Sequence, residues 1–219
     1  MGELISLPQR RAARARQTSP AVRGRVAFFF DLASPWTYLA AERVDRQFDG
    51  VRWRPALAQP VAPLPARRGG GLRRAAQERA GRLAMPLVWP DGWPPRGLAA
   101  MRVATLAVQR ARGAQFVLAA TRLAFCGGYD LADPEIVAEA AAIAGLGLDE
   151  CLAAAGAGHR DLVPQRRGRW LSARGADALP VLVVGRTLYA GEDRLAEAVA
   201  ANAARPGARV AMGGRAPRG

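Results

Sequence analysis

The sequence predicts an α/β fold in which a strand–helix–strand unit is interrupted by a block of helices before strands return. Three observations predict it. An aromatic apolar run leads straight into an amphipathic stripe, a long middle region keeps helical spacing, and two short apolar runs close around a glycine turn.

The first run, "VAFFFD" (26–31), is continuous rather than alternating, as expected of a strand covered on both faces. Trp36, Leu39, Ala40, Val44 and Phe48 then recur at helical spacing, which predicts a helix from Pro35 to about Phe48. "VRWRPAL" (51–57) alternates and reads as a second strand, completing a βαβ crossover. From Leu72 to about Ala155 four segments have helical character: "LRRAAQERAGRLA", "GLAAMRVATLAVQRAR", "AQFVLAATRLAF" and "DPEIVAEAAAIAG". In the last, Asp133-Pro134-Glu135 supplies a cap residue, a proline at the first turn and an acid near the positive helix end. "MPLVWPDGWPP" (85–95) is too rich in proline for a helix and too aromatic to be only a linker. A basic helix is expected from Gln165 to Arg174. "LPVLVVGRTLYAG" (179–191) then reads as two strands around Gly185-Arg186, and a final helix is expected from near Glu192-Asp193 to about Ala203.

At 219 residues the chain can bury one sizeable core. No apolar run approaches the ~20 residues of a bilayer span, so no membrane role is expected. The formal charge of +14 comes entirely from arginine, since the chain has no lysine. Arg10, Arg11, Arg14, Arg16, Arg23 and Arg25 crowd the first 25 residues. Residues 1–24 read as a disordered basic arm and residues 205–219 as a disordered tail. The arm could touch nucleic acid or anionic lipid, but nucleic acid is not the expected partner. It carries no apolar segment with a small-residue cleavage site, so no secretory leader is expected. Cys126 and Cys151 form neither a CxxC pair nor a ligand cluster, which fits a reduced, cytoplasmic setting. His159 is the only histidine, which removes most histidine chemistry and most zinc sites.

Between the first strand and its helix lies Ser34-Pro35-Trp36-Thr37. Two accounts fit these residues. Ser34 is an ordinary N-cap ahead of a proline, or its hydroxyl sits where a helix N-terminus can hold an anion. The two are compatible, because cap and anion share one helix end.

Removing the helical block leaves the order β-α-β-α-β-β-α, and three motifs accompany it: "FDLASPWTYLA", "ALPVLVVG" and "LYAGEDRL". Order and motifs together resemble the DsbA-like branch of the thioredoxin superfamily, and within it the 2-hydroxychromene-2-carboxylate isomerases and kappa-class glutathione transferases. The resemblance spans about Arg25 to Ala203. It implies a thioredoxin-like domain over 25–60 and 165–204, with a helical insertion over 61–164.

It also implies chemistry. Redox members of this fold carry a CxxC where this chain has Ser34-Pro35-Trp36-Thr37, so dithiol exchange at this place is chemically excluded. The resemblance instead implies a thiol brought from outside, glutathione or another low-molecular-weight thiol, with Ser34 donating a hydrogen bond to its sulfur. Leu179, before a Pro180 that is cis in this superfamily, would pair with the tripeptide backbone. Glu192 and Asp193 would help bind it, Asp193 taking the amino group. Trp36, Trp93 and Arg96 are candidates for the substrate pocket. The implied activity is that of an isomerase or transferase acting on a small aromatic carboxylate, in a chain able to form homodimers. The alternative is a binding protein of the same fold that keeps the groove without redox activity. Two features depart from the family: Ala178 stands where members usually have glycine, and the chain's only asparagine, Asn202, lies far from the aromatic loop.

Overall fold

The computed structural model describes residues 26–57, 66–95, 97–176 and 178–205. Four strands, β1 (Val26–Phe30), β2 (Arg52–Pro55), β3 (Val181–Val184) and β4 (Thr187–Ala190), form one sheet in the order β2-β1-β3-β4. β1 pairs parallel with β2 and antiparallel with β3, and β3 pairs antiparallel with β4. Helix α1 (Pro35–Gln47) makes the crossover between β1 and β2. Between β2 and β3 come α2 (Ala66–Arg82), α3 (Ala99–Gln109), α4 (Gly113–Phe125), α5 (Pro134–Ile143), α6 (Leu148–Gly156), a 3-10 turn (Gly158–Asp161) and α7 (Leu162–Ser172). Helix α8 (Leu195–Ala203) ends the described chain.

β1 is central, and its sequence explains why. Val26, Phe28 and Phe30 face a large core shared with α1, α3, α4, α5, α6 and α8, while Phe29 faces a smaller one with Ala56, Leu171, Leu179 and Val181. A strand buried on both faces has no use for alternation, hence the unbroken apolar run. Phe28 and Phe30 are fully buried, and Phe28 meets the edge of Trp53 at 5.0 Å and 78°. The helical block packs through small residues: Ala104, Ala107, Ala120 and Ala140 are all fully buried, which lets helix axes approach closely. The hairpin has the two-residue turn expected, with Gly185 at φ 64°, in the left-handed region that glycine tolerates.

Several boundaries differ: α2 starts at Ala66 instead of Leu72, α7 spans Leu162–Ser172 instead of Gln165 to Arg174, and α6 falls where no separate helical segment is expected. The last helix starts at Leu195, and residues 191–194 form a turn in which Leu195 N–H donates to the Glu192 carbonyl at 3.2 Å. The two acids that resemble a helix first turn therefore precede the helix, because Glu192 is drawn inward by ion pairs described below. The basic arm (1–24) and residues 206–219 lie outside the described residues. Among the described residues, no helix is long and apolar enough to cross a membrane.

Phe28→Ala removes a fully buried ring from the centre of the sheet and is expected to cost about 3–5 kcal/mol in urea unfolding. A loss below about 1 kcal/mol would contradict the assignment of β1 as the sheet's central, doubly covered strand.

Candidate active site

The turn from β1 into α1 is held from several directions. The Asp31 carboxylate accepts from Ala33 N–H at 3.0 Å, and the Asp31 carbonyl accepts from Ser34 N–H at 3.1 Å. Thr37, fully buried, accepts from Asp31 N–H at 3.3 Å, while its own N–H donates to the Ser34 carbonyl at 3.0 Å. An acid ends the strand because its side chain folds the chain back onto itself two residues later. Pro35 then opens the helix at a position whose N–H would otherwise have no intrahelical partner.

Ser34 occupies the N-cap position with extended φ and ψ of −92° and 121°, yet its side chain makes no cap hydrogen bond. Its hydroxyl instead donates to the carbonyl of Leu179 at 3.2 Å, across 145 residues of sequence. The Leu179–Pro180 peptide is cis, and the Pro180 carbonyl accepts from Gly191 N–H at 2.9 Å. The ordinary capping account of Ser34 is thus not the one the structure adopts. The hydroxyl is half-buried and directed at the proline loop, beside the positive end of α1.

The predicted residues Glu192 and Asp193 are treated differently by the fold. Glu192 is 2% exposed, and its carboxylate is taken by Arg43 of α1 and Arg79 of α2, the Arg79 Nε–Oε2 distance being 2.6 Å. This hydrogen bond, opposed by partial burial, raises the Arg79 pKa above its already high ordinary value. With both oxygens engaged, Glu192 joins the turn after β4, itself tied to the proline loop through Gly191, to two helices. Asp193 is exposed and folds over Gly191, whose φ of 99° and missing Cβ make room for the carboxylate.

Beside this turn, Trp36, Arg79, Leu179, Glu192 and Asp193 line a cavity of about 370 Å³, with Arg82 of α2 at its wall. Ser34 is not among its lining residues, touching it only through the Leu179 carbonyl, and neither is Trp93. The Trp93 indole N–H donates to the Ala33 carbonyl at 2.8 Å, and its ring meets Trp89 edge-on at 4.8 Å with Arg73 over both rings. Trp93 therefore braces the turn that carries Ser34. Arg96 lies outside the described residues. No group of three metal-ligating side chains occurs among the described residues. Cys126 and Cys151 are both free, and Cys126 lies 3.0 Å from the Tyr38 hydroxyl. Burial, with that contact, raises the Tyr38 pKa.

Sequence reasoning missed α2 as a wall of this cavity, and with it Arg79 and Arg82. Their three-residue spacing on one helix face was the available signal.

No protein-family model and no curated protein matches the chain. Solved structures do. The chain is similar to a 2-hydroxychromene-2-carboxylate isomerase, with TM-score 0.65 and 20% identity over 80% of this chain and 93% of the other. It is similar to a probable DsbA oxidoreductase from Streptomyces coelicolor, with TM-score 0.65 and 21% identity over 81% and 88%. For the cytosolic disulfide reductase DsbM from Pseudomonas aeruginosa, in its structure with GSH, the values are 0.57 and 19% over 75% and 87%. At such identities the likeness establishes the fold.

Glu192→Gln keeps the shape but removes the charge between two arginines. It is expected to cost about 1.5–3 kcal/mol in denaturant unfolding. A loss under about 0.5 kcal/mol, the level of an exposed pair, would show that Glu192 does not anchor the loop.

Proposed function

From a DsbA-like thioredoxin fold that places the hydroxyl of Ser34, and no thiol, at the start of α1, we propose that this chain binds a low-molecular-mass thiol, glutathione or a chemical equivalent. With it the chain acts as an isomerase or transferase on a small aromatic carboxylate. The observation that carries this reading is the Ser34 hydroxyl itself, turned away from capping and toward the carbonyl of Leu179, a residue that lines the cavity.

The residues present fit such a guest. The cavity lies toward the lower end of the roughly 300–1,000 Å³ usual for small-ligand pockets. Ser34 can rotate its hydroxyl proton from the Leu179 carbonyl to an incoming sulfur, and the α1 dipole favours thiolate over thiol there. Leu179 offers main-chain groups to an extended peptide. Asp193 supplies the exposed carboxylate suited to an ammonium group, a role that Glu192, already paired, leaves to it. Trp36 gives the cavity an aromatic wall. When bound, the thiol would supply a polarisable nucleophile for a conjugated double bond, released again in an isomerisation and kept in the product in a transfer.

Titration calorimetry with glutathione tests this directly. Saturable binding is expected. Ser34→Ala should weaken it by the value of one hydrogen bond to a charged group, about 1.5–3 kcal/mol, which is about 10- to 150-fold. Failure of glutathione and of other common cellular thiols to bind at millimolar concentration ends the proposal. Unchanged affinity in Ser34→Ala would remove Ser34 from it.

A further inference from the structure

The face of the sheet that carries Ala27 and Phe29 has a second feature, independent of the thiol reading. On one face of the sheet, Phe29, Arg54 and Val181 share a cross-strand row, and Ala27, Arg52 and Val183 the next. α7 covers this face incompletely. A recess of about 340 Å³ remains, with Ala27, Phe29 and Val183 as its apolar floor. Arg52, Arg54 and Arg167 line it together with Trp170. None of the three arginines has a carboxylate partner among the described residues.

Arg52 is exposed, but Arg54 and Arg167 are half-buried, where a charge without a counter-charge costs free energy. Arg167 donates one N–H to the Pro55 carbonyl at 3.1 Å and has no carboxylate partner among the described residues. Burial and the neighbouring Arg54 push its pKa down to about 10, so it stays cationic at neutral pH but is held against repulsion. A fourth arginine, Arg205, packs against Gly185 at the edge of the recess, and its buried Nε finds no hydrogen-bond acceptor. Buried donors without partners cost free energy that an acceptor would return.

The chemistry of the guest follows from what is left free. Phe29 stacks on Trp170 at 5.8 Å and Arg174 lies over the same ring at 4.2 Å, so the aromatic is already engaged. Recognition therefore falls to the arginines, whose planar forks match tetrahedral oxyanions with several acceptors. The apolar floor lowers the local dielectric and strengthens that attraction. We propose that this recess binds a compact oxyanion, the phosphate or sulfate head of a small organic ester, between Arg52, Arg54 and Arg167. The remaining volume takes the ester's organic part.

Calorimetric titration of the full chain with inorganic phosphate, in chloride buffer at constant ionic strength, is the test. One saturable site with a dissociation constant on the order of 1 mM or tighter is expected. Arg54→Gln and Arg52→Gln should each weaken it at least about tenfold. In phosphate-free buffer Arg54→Gln should also raise the melting temperature, because it removes a repulsion. Phosphate heats that are absent, or that persist unchanged in both variants and so belong to the arginine-rich first 25 residues, overturn the proposal.

Discussion

The pairing of β1 with β3 is the constraint on which the candidate site rests. Phe29 lies opposite Val181 and Val26 opposite Val184. That register sets the turn after β1 beside the proline loop before β3, so that Ser34 and Leu179, 145 residues apart, come within a hydrogen bond. The register is secured by burial. Phe28 and Phe30 fill one core and Phe29 the other, and slipping by one residue would exchange the two sets. The hydroxyl's position thus comes from packing, and the local turn only finishes it.

Charge is the second organising fact. Every cation of this chain is an arginine, and acids are outnumbered 18 to 32. Where an acid is placed therefore matters. Glu192 ties α1, α2 and the turn after β4 together, and Asp161 receives both forks of Arg102 at 2.8 Å. Exposed pairs such as Arg110–Glu150 and Arg194–Glu197 contribute little. The recess on the Ala27–Phe29 face of β1 is where the supply of acids runs out. An excess charge that is merely solvated on most of the surface becomes a converging set of donors there.

Much of this was legible in the sequence where the deciding forces are local. An aromatic run followed by Ser-Pro and a helical stripe specified β1, its turn and α1. Gly185-Arg186 marked the hairpin, and the helical spacing of the middle region marked most of its helices. What was illegible depends on distant partners. Glu192 and Asp193 have the composition of a helix first turn, but Arg43 and Arg79, 149 and 113 residues earlier, pull Glu192 inside and delay the helix to Leu195. Read locally, both arginines belong to solvated helix faces. Trp93 was expected at a substrate pocket, and the acceptor that engages it is a backbone carbonyl, which no side-chain pattern advertises. The direction of the Ser34 hydroxyl was equally illegible nearby, because the carbonyl that accepts from it belongs to Leu179.

The structure of a crystal soaked with glutathione tests the central claim most directly. The account predicts sulfur within hydrogen-bonding reach of Ser34 Oγ at the start of α1, with the peptide backbone running beside Leu179. Glutathione found elsewhere, or bound with its sulfur turned away while Ser34 still donates to Leu179, would contradict it.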